Sequence, residues 1–395
     1  MHRILTLNQI APKGLARLPA DRFTVGGDVV DPDAILVRSQ QLTMAHVTPN
    51  LRAVARAGAG TNNVPVTQYT EHGIVVFNTP GANANSVKEL TVAAMLLASR
   101  GVVEGMQFVA AADPRLDHAG LHALLEREKK RFKGNEVAGR SLGVVGLGAI
   151  GSLVAQAALH LGMEVLGYDP ALSVDAAWRL PSSVRKANSI EELLKQSDFV
   201  TLHVPLVPAT RNLIDAKRLA AMKSGAVLLN FARDALVDEE AIVAALRAHR
   251  LKHYLCDFPS ASLIREPGVV ALPHLGASTE EAEENCAVMV VDQVREYLEN
   301  GAVANAVNFP NVEMAREAPF RVAIANANVP NMLGQISTAM ARAGLNIHNM
   351  VNKSRGEMAF TLVDTDSPVD DAAVEAIAAI EGVLSVRAIP QSAAG

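Results

Sequence analysis

Short β-branched runs alternate with segments of helical period along most of this chain, the pattern of parallel sheets covered by helices. In the first part, RILTL, AILVRS, LRAVARAG and IVVFN read as strands. Ser86-Val87-Lys88-Glu89 then reads as a capping box, with Glu89 reaching back to the Ser86 amide. The helix it opens, VKELTVAAMLLASRG, is apolar nearly all round, as helices buried inside a protein or at a subunit interface are. After the charged stretch LLEREKKRFKGNEV a second series begins, with strands LGVVG, MEVLGYD, DFVTLHV, AVLLN, HYLCD and VVAL. A long helix follows from about Ala277 to Asn300, acidic at its start as the helix dipole favours.

Beyond NFPNVEM the pattern becomes strand, helix, strand, strand, helix, strand: FRVAIANA, PNMLGQISTAMARAGLN, IHNMVNK, MAFTLVDTD, VDDAAVEAIAAIEG and LSVRAIP. This βαββαβ order has a ferredoxin-like plan. The predicted fold class is α/β, with two doubly wound parallel-sheet domains and this smaller module. The expected division is a first domain over 1–92 completed by 282–310, a second over 93–281, a linker over 311–319, and the module over 320–395.

At 395 residues the chain is too long for one ordinary core. Its 49% apolar and 19% charged content fits a folded globular protein. A net charge of −5 gives no reason to expect a nucleic-acid partner, so any anionic ligand must be met by local arginines or backbone amides. Cys256 and Cys286 lie in apolar or helical settings and read as reduced core residues. No leader and no membrane-length apolar run is read, and a cytoplasmic enzyme is expected, with no metal site.

The strongest local signal is SLGVVGLGAIGSLVAQAALHLGMEVLGYDP. Gly146, Gly148 and Gly151 form G-x-G-x-x-G between a strand and a helix, with Ala149 and Ile150 inside the turn. The first glycine permits the tight turn, the second lets the backbone approach a pyrophosphate, and the third lets helix and strand pack closely. The helix start then offers free N–H groups to the phosphates. Asp169 ends the next strand, where a carboxylate accepts from the ribose hydroxyls and repels a 2′-phosphate; the expected cofactor is NAD.

Four further segments carry a family resemblance. NFARDALVDEEAI resembles the N-x-A-R-G-x-x-V-D signature of D-2-hydroxyacid dehydrogenases, PHLGAST their histidine loop, RAGAGTNNVP their glycine-rich substrate loop, and HVPLVPATRNLID the loop along the nicotinamide. The resemblance spans roughly residues 1–310, and the C-terminal module resembles an ACT domain. It implies that His274 is the base that takes the alcohol proton and that Arg233 fixes the substrate's carboxylate and developing carbonyl. A histidine suits the first role because it titrates near neutrality, and a guanidinium fork suits the second. His203, Pro205, Ala232, Asp257 and Gly276 would border the cofactor, with Asp257 accepting from the carboxamide and His203 packing its loop. The same resemblance implies a phosphorylated three-carbon substrate, 3-phosphoglycerate, oxidised to 3-phosphohydroxypyruvate at the start of a route to L-serine. Arg38, Ser39, Arg56, Gly58 and Asn83 would hold it, at strand ends where open sheets bind ligands. A homodimer or larger homo-oligomer is expected from the apolar helix after Ser86.

Two departures from the family pattern stand out. A glutamate that orients the histidine is expected after the D-x-F strand end, but Ala261 or Ser262 stands there; the next acid is Glu266. Asp234 replaces the usual glycine beside Arg233, either to pair with it or simply to face solvent while tolerating a left-handed backbone. In the ACT-like module, Asn328 and Asn346 match positions that bind serine in resembling enzymes, while Asn326 and Asn331 depart from the pattern. Other readings stay open: a dehydrogenase for glyoxylate, hydroxypyruvate or a phosphorylated sugar acid, or a non-catalytic NAD-sensing interaction protein.

Overall fold

Apolar runs near the amino terminus pair into a five-stranded parallel sheet: β1 (His2–Leu7), β2 (Phe23–Gly26), β3 (Ala34–Val37), β4 (Ala53–Arg56) and β5 (Val75–Phe77). Their spatial order is β2-β1-β3-β4-β5 in the computed structural model, which describes residues 1–390. This doubly wound order reverses direction between β1 and β3, where ligands bind at the strands' carboxyl ends. All of β3 is buried, as a parallel strand covered on both faces must be. β2 escapes the sequence pattern because only Phe23 of its four residues is buried.

The second sheet is also parallel and holds β6 (Ser141–Val145), β7 (Glu164–Tyr168), β8 (Arg185–Lys186), β9 (Phe199–Leu202), β10 (Ala226–Asn230), β11 (Leu251–Cys256) and β12 (Val269–Ala271). Its order, β12-β11-β10-β9-β6-β7-β8, turns at β6 and β9. β8 is two exposed residues and leaves no apolar signal. Helix Ala84–Ser99 packs in this unit beside helix Ala149–His160. The capping box expected at Ser86 does not form. The helix begins two residues earlier, the buried Ser86 hydroxyl donates to the Gly276 carbonyl at 2.8 Å, and Glu89 accepts from Asn85 at 2.9 Å. Among the described residues no single helix is long and apolar enough to cross a membrane.

Contacts divide the chain into two compact units, Ala84–Thr279 and a discontinuous one made of Met1–Asn83 with Glu280 onward. The helix after Asn83 therefore groups with the second sheet, earlier than the 92/93 boundary drawn from sequence. The C-terminal module groups with the first sheet.

In that module β13 (Phe320–Ala327), β14 (Ile347–Arg355), β15 (Met358–Thr365) and β16 (Val383–Pro390) form an antiparallel sheet ordered β14-β15-β13-β16. Alternation along β13 and β15 sends Val322, Ile324 and Val363 against helices Met332–Arg342 and Asp371–Ala378. It sends Ala323, Ala325, Phe360 and Leu362 into one core with Tyr297, Val303 and Phe309. Residues 311–319 are not a loose tether. Val312 exchanges backbone hydrogen bonds with Val303 at 2.8 Å, and the Ala315 carbonyl and Glu317 amide bond to Arg321 and Asp364.

Arg321 and Asp364 are 1% and 0% exposed and make a two-pronged pair at 2.6 and 2.9 Å. Arg321 also donates to the Asn300 carbonyl at 3.0 Å. Arg387 lies 4.6 Å over the Tyr297 ring and donates to the Leu298 and Tyr297 carbonyls. Two arginines thus meet carbonyls at the end of helix Glu280–Asn300, where the helix dipole favours cations. Burial pulls the Arg387 guanidinium down to about 10, so it stays charged near neutrality. Asp364→Ala strands the buried Arg321 charge and should cost about 3–5 kcal/mol, read as a fall in unfolding midpoint; replacing both partners by apolar residues should recover most of it.

Candidate active site

The turn after β6 has the shape its glycines imply. Gly146 has φ +91°, and a Cβ there would press on the His203 carbonyl. A Cβ on Gly151 would run into the Gly146 carbonyl, so helix Ala149–His160 can start here only on a glycine. At Gly148 a Cβ would meet no protein atom, so open space lies over the backbone where a pyrophosphate would approach. Ala149 and Ile150 occupy the first turn of the helix, whose leading N–H groups lack partners within it. Asp169 follows β7 with its carboxylate fixed by the Leu147 and Ala171 amides, both at 2.9 Å. Glycines, helix-start amides and a positioned acid together fit an NAD dinucleotide.

On the neighbouring strand ends, His203 follows β9 with Nε2 2.9 Å from the Thr201 hydroxyl. Burial pushes that imidazole down to about 3, so it is neutral and no reservoir for a proton at physiological pH. Pro205 is exposed beyond it. After β10, the buried Asn230 side chain folds the NFAR segment back: it donates to the Arg233 carbonyl at 2.8 Å and accepts from the Ala232 amide at 3.2 Å. Arg233 in turn donates to the Ala232 carbonyl at 2.6 Å. Of the two expectations for Asp234, exposure to solvent is what the structure shows, without the left-handed backbone. It opens a 3-10 turn without a left-handed φ, and no ion pair joins it to Arg233 among the described residues.

Asp257 is the anchor of the histidine loop. Its carboxylate is 1% exposed and accepts from the Leu275 and Gly276 amides, both at 2.7 Å, while its carbonyl accepts from the His274 amide at 3.1 Å. Asp257 thus anchors this loop, a role beyond the expected acceptance from the carboxamide, and each of its oxygens keeps a second lone pair. His274 sits between these bonds at φ +56°, a left-handed backbone uncommon outside glycine. The Phe258 ring packs on the imidazole with centroids 4.5 Å apart, and the Arg233 guanidinium lies 5.7 Å from the same ring. Sequence reading passed over Phe258 and Asn230, although both stand inside quoted motifs.

The orienting acid is missing in the structure too. Glu266 is bound to Arg247 at 2.7 and 3.0 Å, a pairing that holds its carboxyl below the usual range. Ser260 and Ser262 both donate to Glu239 Oε2, at 2.6 and 3.2 Å. Among the described residues no carboxylate is bonded to the His274 ring.

In the other unit, the anion candidates gather at the ends of β3 and β4. Arg56 Nε donates to the Arg38 carbonyl at 3.1 Å, and Gly58 lies against the Arg56 guanidinium. The Ser39 amide is bound by the Asn8 side chain at 3.1 Å, which closes the loop over the β1/β3 switch point. Arg38 pairs with Glu283 at 2.6 Å, a partner the sequence did not flag. Asn83 has a buried side-chain oxygen without a partner among the described residues. In the C-terminal module a cavity of about 230 Å³ opens between Asn326, Asn328, Asn331 and Asn352. Asn331 takes φ +64°, where asparagine substitutes for glycine most readily. Asn346 lies outside that cavity and donates to Asp366 at 2.5 Å.

These features are those of a nicotinamide-dependent dehydrogenase. The family model described as the D-isomer specific 2-hydroxyacid dehydrogenase, NAD binding domain, matches residues 92–276. The chain belongs to the D-2-hydroxyacid dehydrogenase family. It is 32% identical to a D-3-phosphoglycerate dehydrogenase of Haemophilus influenzae over 88% of this chain and 83% of the relative. The same name is carried by a Methanocaldococcus jannaschii relative, 36% identical over 72% of this chain; this chain spans about half of that relative's length (53%), as it does for other relatives it matches. A solved protein from Thermus thermophilus is 31% identical, with TM-score 0.63 over 77% of this chain and 99% of that one.

Because nothing in the protein meets a Cβ at Gly148, Gly148→Ala should leave the unfolding midpoint unchanged. It should weaken NADH binding at least about tenfold, since the methyl intrudes on the pyrophosphate path. Titration by nicotinamide fluorescence checks this; unchanged affinity would make the turn structural only.

Proposed function

We propose that this protein catalyses the NAD-dependent oxidation of D-3-phosphoglycerate to 3-phosphohydroxypyruvate, the first step of the phosphorylated route to L-serine, in the cytoplasm. The observation that carries this is the conjunction of His274 and Arg233 on one aromatic ring with a dinucleotide turn in the same unit. The curated relatives of the same name support the substrate.

His274 takes the proton from the substrate hydroxyl, acting as general base. Arg233 binds the carboxylate and the carbonyl oxygen that develops beside it, where a fixed cation stabilises the transition state. Bound NAD would supply the acceptor for the hydride released from the carbon that bears the hydroxyl. Gly146, Gly148, Ala149, Ile150 and Gly151 cradle its pyrophosphate, and Asp169 accepts from its ribose. His203, Pro205, Ala232 and Gly276 line the strand ends where its nicotinamide reaches, while Asp257 shapes that edge from behind. Arg38, Ser39, Arg56, Gly58 and Asn83 recognise the anionic groups, an assignment supported by two guanidiniums at the carboxyl ends of β3 and β4, beside the switch point.

The C-terminal βαββαβ module is assigned as an ACT domain with a ferredoxin-like fold, supported by its strand order. Its asparagine-lined cavity takes L-serine as an effector, with Asn328 at its edge; Asn346, the other position matched to serine binding, follows the far end of helix Met332–Arg342. The functional protein is a homodimer or larger homo-oligomer, supported by the exposed Leu96, Val102, Met106 and Val109.

The test is NADH formation from 3-phosphoglycerate, compared with glyoxylate, hydroxypyruvate and other 2-hydroxy acids in the appropriate direction. The phosphorylated acid should be turned over best, and His274→Gln should lower kcat by about 10²–10⁴-fold while NADH still binds. Tight NADH binding without turnover of any 2-hydroxy acid would replace the enzyme by a nucleotide sensor.

A further inference from the structure

We propose that Phe258 is the positioning residue of this active site, holding the His274 imidazole and the Arg233 guanidinium in place of the carboxylate that the loop lacks. The inference rests on the dehydrogenase reading above and adds to it a residue that no motif assigns.

The loop after β11 does two jobs with adjacent residues. Asp257 fixes the backbone on both sides of the imidazole, through its carbonyl to the His274 amide and its carboxylate to Leu275 and Gly276. Those bonds set the φ of +56° and aim the side chain, but they leave rotation about the Cβ–Cγ bond free. A carboxylate on a ring nitrogen would remove that freedom by hydrogen bonding. Two acids near this loop are occupied elsewhere: Glu266 by Arg247, and Glu239 by Ser260 and Ser262.

The Phe258 ring supplies the restraint by contact instead. Its centroid lies 4.5 Å from that of the imidazole with the planes inclined at 51°, a packed aromatic pair. Arg233 lies 5.7 Å from the same centroid, within the range in which a guanidinium is attracted to a ring face. One half-buried side chain therefore sets the spacing of proton acceptor and anion donor, which arrive on separate loops after β10 and β12. Geometry of this kind matters to rate because a displacement of about an ångström costs large factors in turnover.

Leucine fills nearly the same space without a ring face, and tyrosine keeps the face. In the full chain, Phe258→Leu should lower kcat about tenfold and raise KM for 3-phosphoglycerate several-fold, with NADH affinity within about twofold of wild type. Phe258→Tyr should restore both. In chain labelled with ¹³C-histidine, the His274 imidazole protons should carry a ring-current shift in the wild type and the tyrosine variant and lose it in the leucine variant. A packing role alone would be met by leucine and would not change turnover between leucine and tyrosine. Wild-type kcat in Phe258→Leu, or His274 resonances unmoved by it, overturns the proposal while His274→Gln still abolishes turnover. Absence of turnover of any 2-hydroxy acid in the wild type overturns the dehydrogenase reading, full turnover in His274→Gln overturns His274 as the base, and Phe258 falls with either.

Discussion

The candidate active site depends on three backbone hydrogen bonds accepted by one buried residue. Asp257 follows β11 and binds the loop that carries His274 at three amides, so strand and histidine move as one body. Charge-assisted bonds to backbone N–H are among the stronger hydrogen bonds a protein makes, and burial leaves water no share in them. They also stabilise a left-handed backbone at His274 that a histidine would otherwise leave. The position of Phe258, and through it of Arg233, follows from the same strand end.

A second buried interaction organises the other unit. Arg321 and Asp364 join the last turn of helix Glu280–Asn300, the segment 311–319 and the C-terminal sheet in one network, and Arg387 adds two carbonyls of the same helix end. The C-terminal module thereby shares a core with the first sheet. The opposite end of that helix presents Glu283 to Arg38, at the strand ends proposed to hold the substrate's anionic groups. The module is thus fastened to one end of a helix whose other end touches Arg38.

Much of this was legible in the sequence. Strands β6, β9 and β10 are buried along their length, so their apolar runs marked them; β2 and β8 bury too little to register. The glycine turn and Asp169 were readable because the glycines answer steric demands that no other residue meets. Ser86 misled, because Ser-x-x-Glu has the same spelling in a capping box and inside a buried helix, and only the Gly276 carbonyl decides. The loop-anchoring role of Asp257 was not legible, since a sequence cannot show that its carboxylate accepts from the amides of Leu275 and Gly276. Phe258 carries no chemical signature of its own; its importance appears only when residues from two other strand ends converge on its ring.

The most direct measurement of this account is the turnover of Asp257→Asn. The amide keeps the shape of the carboxylate but can accept from only one of the two loop amides and turns its own N–H groups toward the other. The account predicts a chain that folds and binds NADH near normally, with kcat lowered at least about a hundredfold as His274 leaves its place. Turnover close to wild type would contradict it, and would mean that the histidine loop holds its geometry without the buried carboxylate.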